Sequence, residues 1–273
     1  MASLNYSGLM VASKAEQQDL DAYEEDEEQA SQKASQAEFL KVDKKCSYLY
    51  YKPLNEWKNM KDWHVQMRDD ESIECIAQGT SWCACYTDKG YIRVFSQEGV
   101  QKYVFHQSSL VTTMVGYENM LVVVYHAGLP LFGDQQLKYK IIDCGLGQYS
   151  STMGLASAQY SVVLEGQFPV SRFNLVKWVG FTEEGMLTAL SSNGVISGLN
   201  FKNNQWVPIL DLTTAYPDTF QNFWVVGLMG DELLAVEMPK NCDSPPLQIR
   251  SVTKRIPLKI PLLQQESVEG AQV

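Results

Sequence analysis

Residues 178–199, WVGFTEEGMLTALSSNGVISGL, contain three short apolar runs separated by two polar turns. The first turn ends in Gly185, a residue that tolerates positive φ. The second, at 191–194, contains an Asn-Gly pair that suits a type I′ hairpin. Apolar runs bounded by such turns are typical of antiparallel strands. The stretch therefore predicts most of one blade of a β-propeller.

The same unit recurs along the chain as an apolar run, a glycine, a short polar turn and a second apolar run. The four glycines are separated by 37, 64 and 47 residues, which predicts blade loops of unequal length. A second repeated feature is an Asx-Gly turn before an alternating strand, at 88–90 and 193–194. Repeats of roughly 40–50 residues with several strands each predict a single all-β propeller. The repeat glycines are Gly79, Gly116, Gly180 and Gly227.

Length and composition set limits on function. At 273 residues and 45% hydrophobic content, the chain can bury a stable core. Its net charge of −10 argues against direct, sequence-independent nucleic-acid binding, which depends on Lys and Arg neutralising phosphates. No apolar run reaches the roughly 20 residues that span a bilayer. Six cysteines without a signal peptide favour a reducing compartment. Two basic clusters are interpreted as solvated faces: Lys41, Lys44 and Lys45, and Lys254, Arg255 and Lys259.

The N-terminal part differs in composition from the rest. Residues 1–12 predict a possible entering strand of the first blade. Residues 13–38 include the acidic run EEDEE at 24–28 and are predicted to be a mobile insertion; an acidic partner-docking segment is the alternative. The one candidate helix, about residues 14–38, has a narrow apolar face. Residues 39–263 are assigned to the propeller, and the polar tail 264–273 is predicted to be disordered.

Residues that could bind a metal or a phosphate are scattered. Cys83 and Cys85 form a C-x-C pair without the further ligands of a four-coordinate site, which favours small core residues on an inner strand. The CGLG sequence at 144–147 lacks the Lys-Ser/Thr of a phosphate loop. The sequence therefore predicts no metal and no cofactor. The three histidines, which lack metal-ligand spacing, are His64, His106 and His126.

Neighbouring carboxylates occur at 69–71 and 183–184, but both groups fall in predicted turns, where solvated charge is expected. A propeller glycosidase would need two carboxylates set across a central channel. The sequence thus predicts no enzyme and no catalytic residue. These carboxylates are Asp69, Asp70, Glu71, Glu183 and Glu184.

Six tryptophans are spread along the predicted blades, as is typical of packing between blades. One or two of them could instead be exposed anchors for a partner, because Trp is enriched at binding hot spots. The sequence does not say which, so the partner-binding residues are not assigned. The tryptophans are Trp57, Trp63, Trp82, Trp178, Trp206 and Trp224.

Several blocks in order make the chain resemble a known family. They are WHVQM to QKYVF at 63–105, LVVVYHAG to GDQ at 121–135, WVGF to LDL at 178–212, FWVVG at 223–227 and IPLKIPL at 256–262. Together they resemble the central SepB domain of the chromosome-transmission-fidelity family of replisome hubs, the WD-repeat and HMG-box DNA-binding proteins. The resemblance covers residues 40–262, most of the chain.

The resemblance implies a six-bladed propeller, with three to four antiparallel strands in each blade, that trimerises. It also implies a non-catalytic scaffold in the nucleus, on chromatin, that links the replicative helicase, through GINS, to DNA polymerase α–primase. Because the sequence stops before the family's helical bundle, capture of the polymerase is expected to be weakened. The alternatives are a general peptide-binding propeller outside replication and a propeller hydrolase.

Overall fold

The structure, a computed structural model, describes residues 1–14, 46–54, 60–130, 134–145, 161–219, 222–238, 245 and 252–262. These residues form strands almost throughout, which confirms the all-β prediction. In chain order the elements are β1 Ala2–Leu4, β2 Gly8–Ala12, β3 Tyr48–Pro53, β4 Trp63–Gln66, β5 Ile73–Gln78, β6 Trp82–Thr87, β7 Tyr91–Ser96, β8 Gln101–His106, β9 Val111–Tyr117, β10 Met120–His126, β11 Leu137–Asp143, β12 Ser161–Gln167, β13 Val176–Phe181, β14 Leu187–Ser191, β15 Val195–Asn200, β16 Gln205–Asp211, α1 Leu212–Ala215, β17 Phe223–Met229, β18 Glu232–Glu237 and β19 Thr253–Pro257.

These strands form five sheets, and in each sheet consecutive strands are neighbours. The sheets are β1–β4, β5–β8, β9–β12, β13–β16 and the three-stranded β17–β19. A meander of three or four strands is the blade unit of a β-propeller, so the predicted class is confirmed. The predicted number of blades is wrong, because the described residues make five sheets and not six.

The repeat glycines account for four of the five sheets. Gly79 directly follows β5, and the other three lie in β9, β13 and β17, so each marks the first strand of one sheet. Four glycines therefore mark four sheets. The remaining sheet is built from both sides of residues 15–45, with β1 and β2 before them and β3 and β4 after them. Within the described ranges, every sheet belongs to one of these five meanders. The sixth blade was predicted from the resemblance.

Two predicted hairpin turns each contain a glycine at positive φ. Ser191 O accepts from the N–H of Gly194 at 3.0 Å, and Gly194 has a φ of 83°. Asn193 does not share the positive φ that a type I′ turn requires, so that predicted turn type is wrong. Its side chain instead accepts from the N–H of Val195 at 3.3 Å, an Asx turn. The predicted counterpart is confirmed, since Gly90 donates to Thr87 O at 2.9 Å with a φ of 75°.

The chain divides into two compact units. The first consists of Met1–Met114, Glu118–Leu121 and Asp143–Tyr160, and the second of Val115–Tyr117, Val122–Ile142 and Ser161–Val273. Each unit has an apolar core. Core residues of the first unit include Met10, Leu49, Tyr51, Ile73 and Phe95. Core residues of the second include Ile196, Leu210, Phe223, Leu228, Leu233 and Ile256.

The two strands predicted to be inner strands are buried. Every residue of β6, WCACYT, is buried, as are residues 121–125 of β10, LVVVY. Each of these strands lies between two others in its sheet, so neighbours on both sides satisfy its backbone. The acidic run 24–28, the lysine cluster 41–45, Trp57 and the tail 264–273 lie outside the described residues, as does the candidate helix 14–38 apart from Lys14.

Candidate protein-interaction site

Four of the five carboxylates singled out in the sequence are exposed, as predicted for solvated turns: Asp69, Asp70, Glu183 and Glu184. Glu71 is the exception. Its side chain is 2% exposed and forms a bidentate pair with Arg93, with Nε–Oε1 and Nη2–Oε2 distances of 2.7 and 2.6 Å. Burial alone would raise the pKa of Glu71, but the hydrogen bonds and charge of Arg93 outweigh it and hold that pKa below its usual range. This carboxylate is therefore committed to structure.

The described cysteines and histidines are buried in strands or lie apart from one another. Cys83 and Cys85 are buried in β6, as predicted for core residues, and burial raises the pKa of each thiol to about 12. His64 and His106 are exposed, and His126 is half-buried. Within the described ranges, no group of His, Cys, Asp and Glu side chains is arranged to hold a metal ion. The CGLG sequence is described only as far as Gly145.

A further group of titratable side chains lies on β10, β11 and β12. Tyr125 donates to Oε1 of Glu165 at 2.6 Å, and Nζ of Lys140 lies 5.7 Å from the Tyr125 ring centroid. Burial, reinforced by Glu165, raises the pKa of Tyr125 to about 12. Burial also lowers the pKa of Lys140. A tyrosine that stays protonated and is paired across strands suits a structural contact more than proton transfer.

Three tryptophans pack between sheets, as predicted. Trp63 of the first sheet stacks on Tyr51 and contacts Phe95 of the second, with centroid distances of 5.5 and 5.9 Å. Fully buried Trp82 donates through Nε1 to Glu118 O at 2.9 Å. Trp206 of the fourth sheet donates to Gln167 O, which ends the third sheet, at 3.1 Å. The ring nitrogens of Trp82 and Trp206 thus donate to backbone of the neighbouring sheet.

Trp224 is different, since 44% of its surface is exposed. Val226 and Met229, on the same strand, are 54% and 51% exposed. The alternate residues Phe223, Val225 and Leu228 are buried in the core of the second unit. β17 thus holds its apolar side chains on both sides, one against the core and one in solvent. We call Trp224, Val226 and Met229 the β17 triad.

A β-bulge adds Met229 to the triad. The pairing of β17 with β18 shifts register between Val225 and Gly227, so Val226 has no opposite residue. Strict alternation would turn Met229 toward the core and Leu228 toward solvent. The bulge reverses this phase and keeps Leu228 buried and Met229 exposed. Exposed apolar side chains grouped on a rigid sheet mark sites of protein interaction.

Sequence reasoning found Trp224 as one of six candidates but could not separate it from the buried tryptophans. It missed Val226 and Met229, because no turn or spacing signal marks the bulge. The burial of Glu71 was also missed, since its partner Arg93 is 22 residues away. The basic residues Lys254 and Arg255 are exposed, as predicted, and pair with Glu237 and Glu232 of β18. No helix within the described ranges is long and apolar enough to cross a membrane.

Comparison with known proteins identifies relatives of this chain. It is 31% identical to WD repeat and HMG-box DNA-binding protein 1 of Xenopus laevis over 219 residues, which are 79% of this chain and 18% of that protein. It is 23% identical to minichromosome loss protein 1 of Schizosaccharomyces pombe over 169 residues, 60% of this chain and 19% of that one. The chain therefore spans about a fifth of the length of these relatives.

Among solved structures, the crystal structure of HIRA(644-1017) is similar with a TM-score of 0.43 and 16% identity, over 62% of this chain and 48% of that one, which is too low to support a conclusion. The family model described as "Minichromosome loss protein, Mcl1, middle region" matches residues 1–262. This chain belongs to the family of the Mcl1 middle region.

Proposed function

We propose that this chain is a non-catalytic scaffold domain that binds copies of itself and other proteins during DNA replication. The observation that carries the proposal is the β17 triad, three exposed apolar side chains on a strand whose other side packs in the core, with the bulge keeping Met229 exposed. An aromatic anchor with aliphatic neighbours is the composition of an interface centre. The carboxylates and thiols singled out in the sequence are exposed in turns, paired or buried, so none of them suggests a reaction.

The mechanism is geometric. Side chains on paired strands lose little freedom on docking, because the sheet already fixes their backbone. We propose that three copies associate, which raises the effective concentration for a client that carries more than one binding segment. In this arrangement the domain brings clients together and leaves the chemistry to them.

Membership of the Mcl1 family supports the biological setting. The name of the yeast relative refers to loss of minichromosomes, and that of the frog relative to DNA binding. We propose that the domain acts in the nucleus, on chromatin, and joins the replicative helicase, through GINS, to DNA polymerase α–primase. With a net charge of −10, the domain is expected to meet these partners through protein surfaces and not through DNA.

The test is binding of the purified chain to purified GINS and to purified DNA polymerase α–primase, measured by biolayer interferometry. Trp224→Ala is expected to weaken self-association or one of these contacts by about 10-fold or more. Phe201→Ala is the control, since Phe201 is an exposed aromatic in the turn between β15 and β16. Absence of binding to both partners, with the chain folded, would favour the peptide-binding alternative outside replication.

A further inference from the structure

The loop between β12 and β13 carries a strained residue. Phe173 has a φ of 61°, although it is neither glycine nor asparagine. For a bulky side chain this left-handed conformation is an outlier that costs energy. Burial of the ring does not offset this conformational energy, because 74% of Phe173 is exposed. An outlier of this kind persists only where surrounding contacts impose it.

Hydrogen bonds impose it here. The N–H of Phe173 donates to Oδ1 of Asp134 at 2.8 Å, across 39 residues of sequence. On the following residue, Nδ2 of Asn174 donates to Oγ of Ser171 and to the carbonyl oxygen of Arg172, both at 2.9 Å. These contacts hold both sides of Phe173 and leave its ring in solvent.

The fourth sheet anchors the end of the loop. The hydroxyl of Ser192 donates to Oδ1 of Asn174 at 3.0 Å and accepts from the N–H of Leu175 at 3.0 Å. The N–H of Ser192 also donates to Leu175 O at 2.8 Å. The loop is thus fixed to a strand end, and the ring of Phe173 is presented from a rigid support.

The neighbouring side chain adds charge. Arg172 is 87% exposed, with Nε 3.7 Å from Oδ2 of Asp134, and it is the sole charged side chain of loop residues 168–175. Leu175, two residues after Phe173, adds an apolar side chain that is 50% exposed. Arg and aromatic side chains presented together are the usual anchors of protein interfaces. An exposed guanidinium selects a carboxylate, since the pair forms two parallel hydrogen bonds.

We propose that loop 171–175 is a second docking site, which inserts the Phe173 ring into an apolar pocket of a partner protein whose rim carries a carboxylate for Arg172. Strain and exposure together carry the proposal, because a chain under selection for stability alone would place glycine or asparagine at this φ. The proposal rests on the loop and not on the role of the β17 triad. Its test reports on the two separately.

The first arm of the test measures stability. Phe173→Asn introduces a residue that tolerates positive φ and is expected to raise Tm by about 2 °C. Phe173→Ala keeps the strain and removes the ring, so its Tm is expected to stay near that of the wild type. A clear fall in Tm for Phe173→Ala would overturn the proposal, because the ring would then serve the fold.

The second arm measures binding. A photo-crosslinking phenylalanine analogue at position 173 identifies neighbours in nuclear extract, and each captured protein is then purified and titrated against the chain. Phe173→Ala and Arg172→Ala are each expected to weaken binding by about 10-fold. Arg172→Ala is also expected to reduce the dependence of binding on salt concentration. Phe201→Ala is the control expected to bind as wild type.

Two outcomes would overturn the proposal. One is that no purified protein binds in a manner that depends on both Phe173 and Arg172. The other is a change in the molar mass of the assembly on Phe173→Ala, because the ring would then contact a second copy of this chain. Failure of the Trp224→Ala test would leave the loop result standing.

Discussion

Replacing the first repeat glycine with alanine is expected to destabilise the protein strongly. A Cβ at Gly79 would lie 2.1 Å from the carbonyl oxygen of Glu118 and 2.3 Å from Nε1 of Trp82. These two atoms are hydrogen-bonded to each other at 2.9 Å, so the methyl group would enter a bond that fixes a fully buried tryptophan. The oxygen of Glu118 belongs to the backbone, so it cannot move aside by a side-chain rotation.

The size of the effect follows from these contacts. Loss of the hydrogen bond between Trp82 and Glu118 costs about 1 kcal/mol. The N–H of Thr80 also donates to the oxygen of Glu118 at 2.9 Å and is disturbed by the same shift. Overpacking beside buried Trp82 adds about 1–3 kcal/mol. We expect Gly79→Ala to lower the free energy of unfolding by about 3 kcal/mol.

Gly227 provides the control, because it is the repeat glycine of the last sheet and a Cβ there would have nothing within 4 Å. Gly227→Ala is expected to change the free energy of unfolding by less than about 1 kcal/mol. Urea unfolding followed by tryptophan fluorescence and circular dichroism measures both variants. Equal effects of Gly79→Ala and Gly227→Ala, or a negligible effect of the first, would refute the reasoning.

Two further predictions concern buried groups. Because the pKa of Glu71 is lowered in the folded state, its pair with Arg93 stabilises the protein above the unfolded pKa of about 4.3, and this stability is lost as pH falls through the folded pKa. Glu71→Gln should therefore lower Tm at pH 7 and reduce the loss of Tm on acidification. A plot of Tm against pH for the variant that runs parallel to that of the wild type would contradict this. Burial raises the pKa of Cys83, Cys85 and Cys144 to about 12, so these thiols should react with a disulfide reagent at pH 8 only after unfolding. Mass spectrometry that finds rapid labelling of any of these three residues in the native protein would contradict it.

Local signals in the sequence predicted the repeating unit well. Turn residues followed by apolar runs predicted the strands of 178–199, and the repeat glycines marked the first strands of four sheets. These signals work because turn chemistry and side-chain alternation act over a few residues. The first sheet was harder to predict, since β2 pairs with β3 across the stretch 15–45 and no repeat glycine marks it.

The candidate sites depend on contacts that the sequence does not display. The exposure of Met229 follows from a bulge at Val226, three residues earlier in β17. The φ of Phe173 depends on Asp134 in a distant loop, and its own neighbours contain no Gly to announce a left-handed residue. Asn193 is the opposite case, because its side chain bonded locally and replaced the expected type I′ turn with another. Long-range pairing and side-chain competition for backbone groups account for these differences.

Multi-angle light scattering of the purified chain at micromolar concentration tests the scaffold account most directly. Self-association through an exposed apolar face should give a molar mass about three times the 30.8 kDa of one chain, with a lower mass for Trp224→Ala. A mass of one chain for the folded wild type, unchanged by Trp224→Ala, would contradict the account.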